Sequence, residues 1–117
     1  MYDKYGQFID GKWQKSASGE TYDVINPATE EVIGKASKAN SSDVQKALKS
    51  AEKGLQIWRN TSPWERSKII RKISDLIRKR VDVLSKWLTL GVGKPLTEGP
   101  GEIGGAADIF ELSLIHI

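Results

Sequence analysis

Ser62-Pro63-Trp64-Glu65-Arg66-Ser67-Lys68-Ile69-Ile70-Arg71-Lys72-Ile73-Ser74-Asp75-Leu76-Ile77 contains the clearest helix start in the chain. Ser62 is a favoured N-cap residue. Pro63 suits the first helical position, where its missing N–H would have no partner, and Glu65 stands where a capping box places its acid. Ile69, Ile70, Ile73, Leu76 and Ile77 recur at helical spacing and make an apolar stripe. Arg66, Lys68, Arg71, Lys72, Asp75, Arg78 and Lys79 take the other positions. Asp82 opens a continuation carrying Val83, Leu84, Trp87 and Leu88, which Gly91-Val92-Gly93-Lys94-Pro95 breaks. Thr97 to Gly105 reads as a glycine-rich loop, and Ala106 to Leu112 as the start of a last helix.

Upstream, a first helix is expected after Asn40, an N-cap with Asp43 three positions on as its capping-box partner. Val44, Ala47, Leu48, Ala51, Leu55 and Trp58 fall on one face of it, and Gly54 weakens its last turns. Before that the chain reads as strands. Asp10-Gly11 between Gln7-Phe8-Ile9 and Lys12-Trp13-Gln14 is a hairpin signal, since both turn residues tolerate positive φ. Ser16 to Gly19 is a second turn. Thr21 to Ile25 is a strand stopped by Asn26-Pro27, and Glu31 to Ala36 is one more.

The 117 residues suffice for one domain, with 38% hydrophobic and 28% charged residues. Such a composition excludes mucin-like, collagen-like and disordered chains. No apolar run approaches the roughly 20 residues of a membrane-spanning helix. The start, Met1 to Tyr5, has no apolar signal core, so a cytoplasmic location is expected. There is no cysteine, hence no disulfide, no thiolate metal site and no cysteine nucleophile within the chain. The net charge of +3 is a mild excess.

Few residues suggest chemistry. Gly101-Glu102-Ile103-Gly104-Gly105 lacks the spacing of a dinucleotide fingerprint, and Gly93-Lys94-Pro95 lacks the spaced glycine and following hydroxyl of a phosphate loop. His116 has no acidic partner nearby in sequence, which argues against catalysis or metal ligation. The Lys and Arg residues from Arg66 to Arg80 could track a phosphate backbone, but the solvated face of an amphipathic helix is the commoner meaning. The tryptophans at 13, 58, 64 and 87 read as core or interface anchors, with Trp58 and Trp64 sealing a helix–helix corner. No catalytic, cofactor-binding or metal-ligating residue is assigned in this chain.

A family resemblance runs through these pieces in order. Phe8-Ile9-Asp10-Gly11-Lys12-Trp13, Ser18-Gly19-Glu20-Thr21 and Val24-Ile25-Asn26-Pro27-Ala28-Thr29 resemble the start of an NAD(P)-dependent aldehyde dehydrogenase. Asp43-Val44, Trp58, Trp64-Glu65-Arg66, Asp75-Leu76-Ile77, Leu88-Thr89-Leu90 and Gly93-Lys94-Pro95-Leu96 continue it. Gly101-Glu102-Ile103 and Ala106-Ala107-Asp108-Ile109-Phe110 complete it, so that it covers Gln7 to about Glu111. Gly101 to Glu111 is most similar to the succinate-semialdehyde type, and betaine-aldehyde enzymes are also similar. Three departures stand out. Gly91 replaces a usual acid, and Glu102 stands where the family often has Asp. Leu112 to Ile117 looks like translated sequencing adapter, so residues 112–117 are expected to be a non-native tail.

The resemblance implies an incomplete N-terminal part of a coenzyme-binding domain over residues 1–111. The expected fold is an α+β fragment of an α/β parent: an N-terminal β-hairpin and short strands, an antiparallel helical hairpin from Asn40 to Leu90, and a partial third helix. With the parent's sheet missing, exposed apolar patches are expected. The parent would oxidise an aldehyde to a carboxylic acid with NAD or NADP through a cysteine thioester, as a homodimer or homotetramer. All the catalytic groups lie downstream in the family, so this chain alone would be inactive and bind no coenzyme. Many members hold a monovalent cation at positions matching Val24, Ile25 and Glu102, but no site is assigned there. No nucleic-acid or membrane partner is expected. Two alternatives remain: a small helical interaction module and a basic nucleic-acid-binding protein.

Overall fold

The computed structural model describes residues 5–116, with the side chains of residues 115 and 116 left aside. The readings of the Met1–Lys4 start, of the His116 side chain and of Ile117 in the tail lie outside the described residues. The chain divides into two compact units, Met1–Arg59 and Asn60–Ile117.

In the first unit, β1 (Gln7–Ile9) pairs antiparallel with β2 (Lys12–Gln14). Asp10 and Gly11 both have positive φ, 53° and 74°, as the two-residue turn requires. Phe8 and Trp13 face each other across the ladder with ring centroids 5.1 Å apart, and Tyr5 packs at a tilt against Trp13 at 5.2 Å. β3 (Thr21–Ile25) pairs antiparallel with β4 (Val32–Ser37), with an irregularity between Val24 and Ile25. Asn26 ends β3 as expected, its Oδ1 accepting from the Ala28 N–H at 3.0 Å. α1 (Ser41–Asn60) opens with the reciprocal cap that the sequence suggests. Asp43 N–H donates to Asn40 Oδ1 at 3.0 Å, and Asn40 N–H donates to Asp43 Oδ2 at 3.2 Å.

The second unit is helical. α2 (Pro63–Arg78) starts on Ser62, whose Oγ accepts from the Glu65 N–H at 3.2 Å. Only this half of the box forms, because the Glu65 carboxylate takes Lys68 Nζ at 2.8 Å instead. The expected continuation at Asp82 is a separate helix, α3 (Val81–Val92), capped by Gly93 in the left-handed region with its N–H on Thr89 O at 2.9 Å.

The loop expected from Thr97 to Gly105 is mostly helix: α4 runs from Gly99 to Leu112, followed by a 3-10 turn, Ser113–His116. Glycine lowers helix propensity, which is why the run reads as a loop from sequence. Packing overrides it. α2 and α3 both lie chiefly on α4, through their smallest residues. Ser74 and Ala107 are buried, and Ser74 Oγ–H donates to Ala107 O at 3.0 Å. Ser85 is buried against Gly99, where a Cβ would stand 2.8 Å from Ser85 Cβ. On α2, Ile70 and Ile77 flank this seam half-buried, while Ile69, Ile73 and Leu76 of the same stripe face outward. On α1, Val44, Leu48, Leu55 and Trp58 are likewise exposed, which agrees with the apolar patches expected of a segment lacking its sheet. Among the described residues the buried hydrophobic side chains are Ile9 and Ala107.

Candidate functional site

Asp43 is the densest polar node of the first unit. The capping box places it at the start of α1, and the turn at Ser16–Gly19 brings the Ala17 N–H onto both of its carboxylate oxygens, each at 3.1 Å. Asn40 N–H and Gln7 Nε2 also donate to it, the latter at 3.4 Å. Burial opposes the charge. The N–H groups of Asn40 and Ala17, the Gln7 amide and nearby Lys46 outweigh it, holding the carboxyl below its usual range. A carboxylate so occupied fastens β1, the turn and α1 together. It is not poised as a general base.

In the second unit Glu102 is engaged by Lys94, with Glu98 3.8 Å from the same Nζ. The hydrogen bond to Glu102 raises the Lys94 pKa, against a desolvation that lowers it, with the charges of Glu102 and Glu98 adding to the rise. Glu102 is therefore an ion-pair partner within its own unit. Val24 and Ile25 belong to the first unit, at the irregular end of β3.

The glycine run Gly101 to Gly105 is wound into α4 rather than folded as an open cradle. One first-turn N–H of each of α1 and α2 is capped, Asp43 N–H by Asn40 Oδ1 and Glu65 N–H by Ser62 Oγ. Among the described residues no group of three or more His, Cys, Asp or Glu side chains is placed to hold a metal ion. None of the described helices is long and apolar enough to cross a membrane.

The basic helix α2 spends part of its charge internally. Arg78 bonds Asp108 Oδ1 at 3.0 Å and Glu111 Oε2 at 2.6 Å, and Arg71 lies 3.8 Å from Glu111. The hydrogen bond to Glu111 raises the Arg78 pKa. These pairs tie α2 to α4. Trp64 is 80% exposed and lines a shallow groove of ≈ 360 Å³ with Ser67, Lys68, Arg71, Lys72 and Asp75. It projects from the first turn of α2 into solvent. Trp13 is also exposed, beside Tyr5 and Phe8.

Sequence reasoning located Asp43 as a cap but not its bonds to Ala17 and Gln7, 26 and 36 residues away. It missed Ser74, Ser85, Gly99 and Ala107 as the packing seam. Small residues at helical spacing on facing helices were the available signal.

Comparison with known proteins gives a consistent result. The profile of the aldehyde dehydrogenase family matches residues 13–116. A glutarate-semialdehyde dehydrogenase of Pseudomonas aeruginosa is 38% identical over 104 residues, which are 89% of this chain and 22% of that protein. An NAD-dependent aldehyde dehydrogenase from Sinorhizobium meliloti superposes with a TM-score of 0.89 at 37% identity, over 94% of this chain and 22% of its own. A Staphylococcus aureus betaine aldehyde dehydrogenase variant, solved with NAD+, gives 0.89 at 31% identity, over 93% and 23%. The chain thus spans less than a quarter of the length of these relatives.

Proposed function

Since the chain belongs to the aldehyde dehydrogenase family, as an N-terminal fragment of such a subunit, we propose that it is the opening segment of an oxidoreductase that converts an aldehyde to a carboxylic acid with NAD+ or NADP+. The observation that carries this reading is the family match across residues 13–116. In the whole protein a cysteine would attack the aldehyde. Hydride would pass from the adduct to the coenzyme, and water would release the acid from the resulting thioester. This chain has no cysteine and supplies none of that chemistry. Its part is structural, and alone it is inactive and binds no coenzyme. A semialdehyde is the favoured substrate class, supported by the similarity of Gly101 to Glu111 and by the Pseudomonas aeruginosa relative's name. The whole protein would work in the cytoplasm as a homodimer or homotetramer.

The test is to sequence the locus through the codon for Glu111, express the complete reading frame, and follow coenzyme reduction. A panel of semialdehydes, betaine aldehyde and simple aldehydes with NAD+ and NADP+ decides substrate and coenzyme. Aldehyde-dependent reduction by the full product and none by the 117-residue chain is the expected outcome. A frame that stops after Ile117, or turnover by the chain alone, would defeat the reading. The same sequence reads decide whether Leu112 to Ile117 is native.

A further inference from the structure

α1 carries a second face opposite its apolar stripe. Lys46, Lys49, Ser50 and Lys53 share one side of the helix, turned away from Val44, Leu48, Ala51 and Leu55. The β1–β2 hairpin lies along that side. Asp10 from its turn and Gln14 from β2 line, with those four residues, a cleft of about 320 Å³. Ser50 Oγ–H donates to Asp10 Oδ1 at 3.4 Å and ties hairpin to helix. Both elements belong to the first compact unit.

The charges in this cleft do not cancel. Among the described residues no ion pair engages Lys46, Lys49 or Lys53, not even with Glu52 of the same helix. Asp10 is the one carboxylate lining the cleft. Asp43 feels the charge of Lys46, but N–H groups of Ala17 and Asn40 already occupy its oxygens. Three ammonium groups against one carboxylate leave the concavity positive.

The positive groups also form a row. At 1.5 Å of rise per residue, the stems of Lys46 and Lys53 leave the helix about 10 Å apart along its axis, with Lys49 between them. Lysine meets phosphate as a point charge with rotatable donors, so a row of lysines suits a chain of phosphates better than a single one. No aromatic residue lines the cleft, so nothing there stacks a nucleoside base.

We propose that the cleft between the β1–β2 hairpin and α1 binds a linear oligophosphate through Lys46, Lys49 and Lys53, with Gln14 beside them. The site depends neither on the aldehyde-oxidising reading nor on what covers the apolar stripe of α1.

The experiment titrates the 117-residue chain calorimetrically, at low salt and without metal ions, with sodium tripolyphosphate, orthophosphate and ATP. Tripolyphosphate should bind at least about tenfold more tightly than orthophosphate, and ATP about as tightly as tripolyphosphate. Lys49→Gln and Lys53→Gln should each weaken tripolyphosphate binding about tenfold. Both lysines are exposed, so circular dichroism melts of these variants should match the unaltered chain. Lys72→Gln, on α2 in the other unit, should leave binding unchanged. Asp10→Asn should strengthen binding several-fold, a gain that lost folding cannot produce. Asparagine tolerates the positive φ of position 10 and keeps an acceptor for Ser50 while removing the opposing charge. No binding of tripolyphosphate, equal binding of orthophosphate, or equal weakening by Lys72→Gln and Lys49→Gln would each overturn the proposal. So would ATP binding more than about tenfold tighter than tripolyphosphate, which would mean that a base is recognised.

Discussion

Fastening three segments through one carboxylate makes the first unit sensitive to acid. Asp43 is held below its ordinary range, so it binds fewer protons folded than unfolded, and its contribution to stability is present above the unfolded pKa. That contribution is lost as pH falls through the folded value. The thermal midpoint of the chain should therefore fall between neutral pH and about pH 3. Asp43→Asn should lower the neutral-pH midpoint and flatten this acid dependence, as circular dichroism melts at a series of pH values would show. An unchanged pH profile in the variant would remove Asp43 as the fastening. The local half of this arrangement was legible, since Asn40 and Asp43 three residues apart spell a capping box. The long-range half was not, because the Ala17 N–H reaches Asp43 only after the Ser16–Gly19 turn folds back.

Helix–helix contact in the second unit depends on missing volume. Gly99→Ala places a methyl 2.8 Å from Ser85 Cβ and 3.2 Å from Ser85 Cα, neither at the end of a flexible side chain. The substitution should destabilise the chain by about 1–3 kcal/mol in urea unfolding, despite alanine's better helix propensity. Ser85→Gly in the same chain should recover part of that loss, a coupling that a double-mutant cycle measures. Additivity of the two changes would mean that α3 and α4 do not meet there. This seam explains why α4 is a helix where the sequence suggests a loop. The glycines from 99 to 105 signal a loop when local propensity is the only guide, whereas Ser74, Ser85 and Ala107 show that tertiary contact decides. α2 was legible because cap, proline and stripe all agree. The stripe did not reveal that Ile69, Ile73 and Leu76 would face outward.

For the molecule as a whole, exposed apolar area is the dominant property. Trp64, Ile57, Val92 and Ile109 are each at least 68% exposed. The isolated chain should bind a hydrophobic dye such as anilinonaphthalene sulfonate and self-associate as concentration rises, read by light scattering. A dye-silent monomer at high concentration would contradict this. Family membership was legible in the ordered motifs from Gln7 to Glu111. The absence of cysteine excludes a cysteine nucleophile within these residues. The scarcity of buried hydrophobic residues, Ile9 and Ala107 among those described, also has a calorimetric consequence. Heat-capacity increments on melting follow the apolar surface newly wetted, and a typical globular chain of 117 residues shows about 1.4–1.8 kcal/mol/K. With so much of that surface wet before melting begins, this chain should fall well short of that figure. Its endotherm should be broad and shallow, and its stability curve unusually flat with temperature.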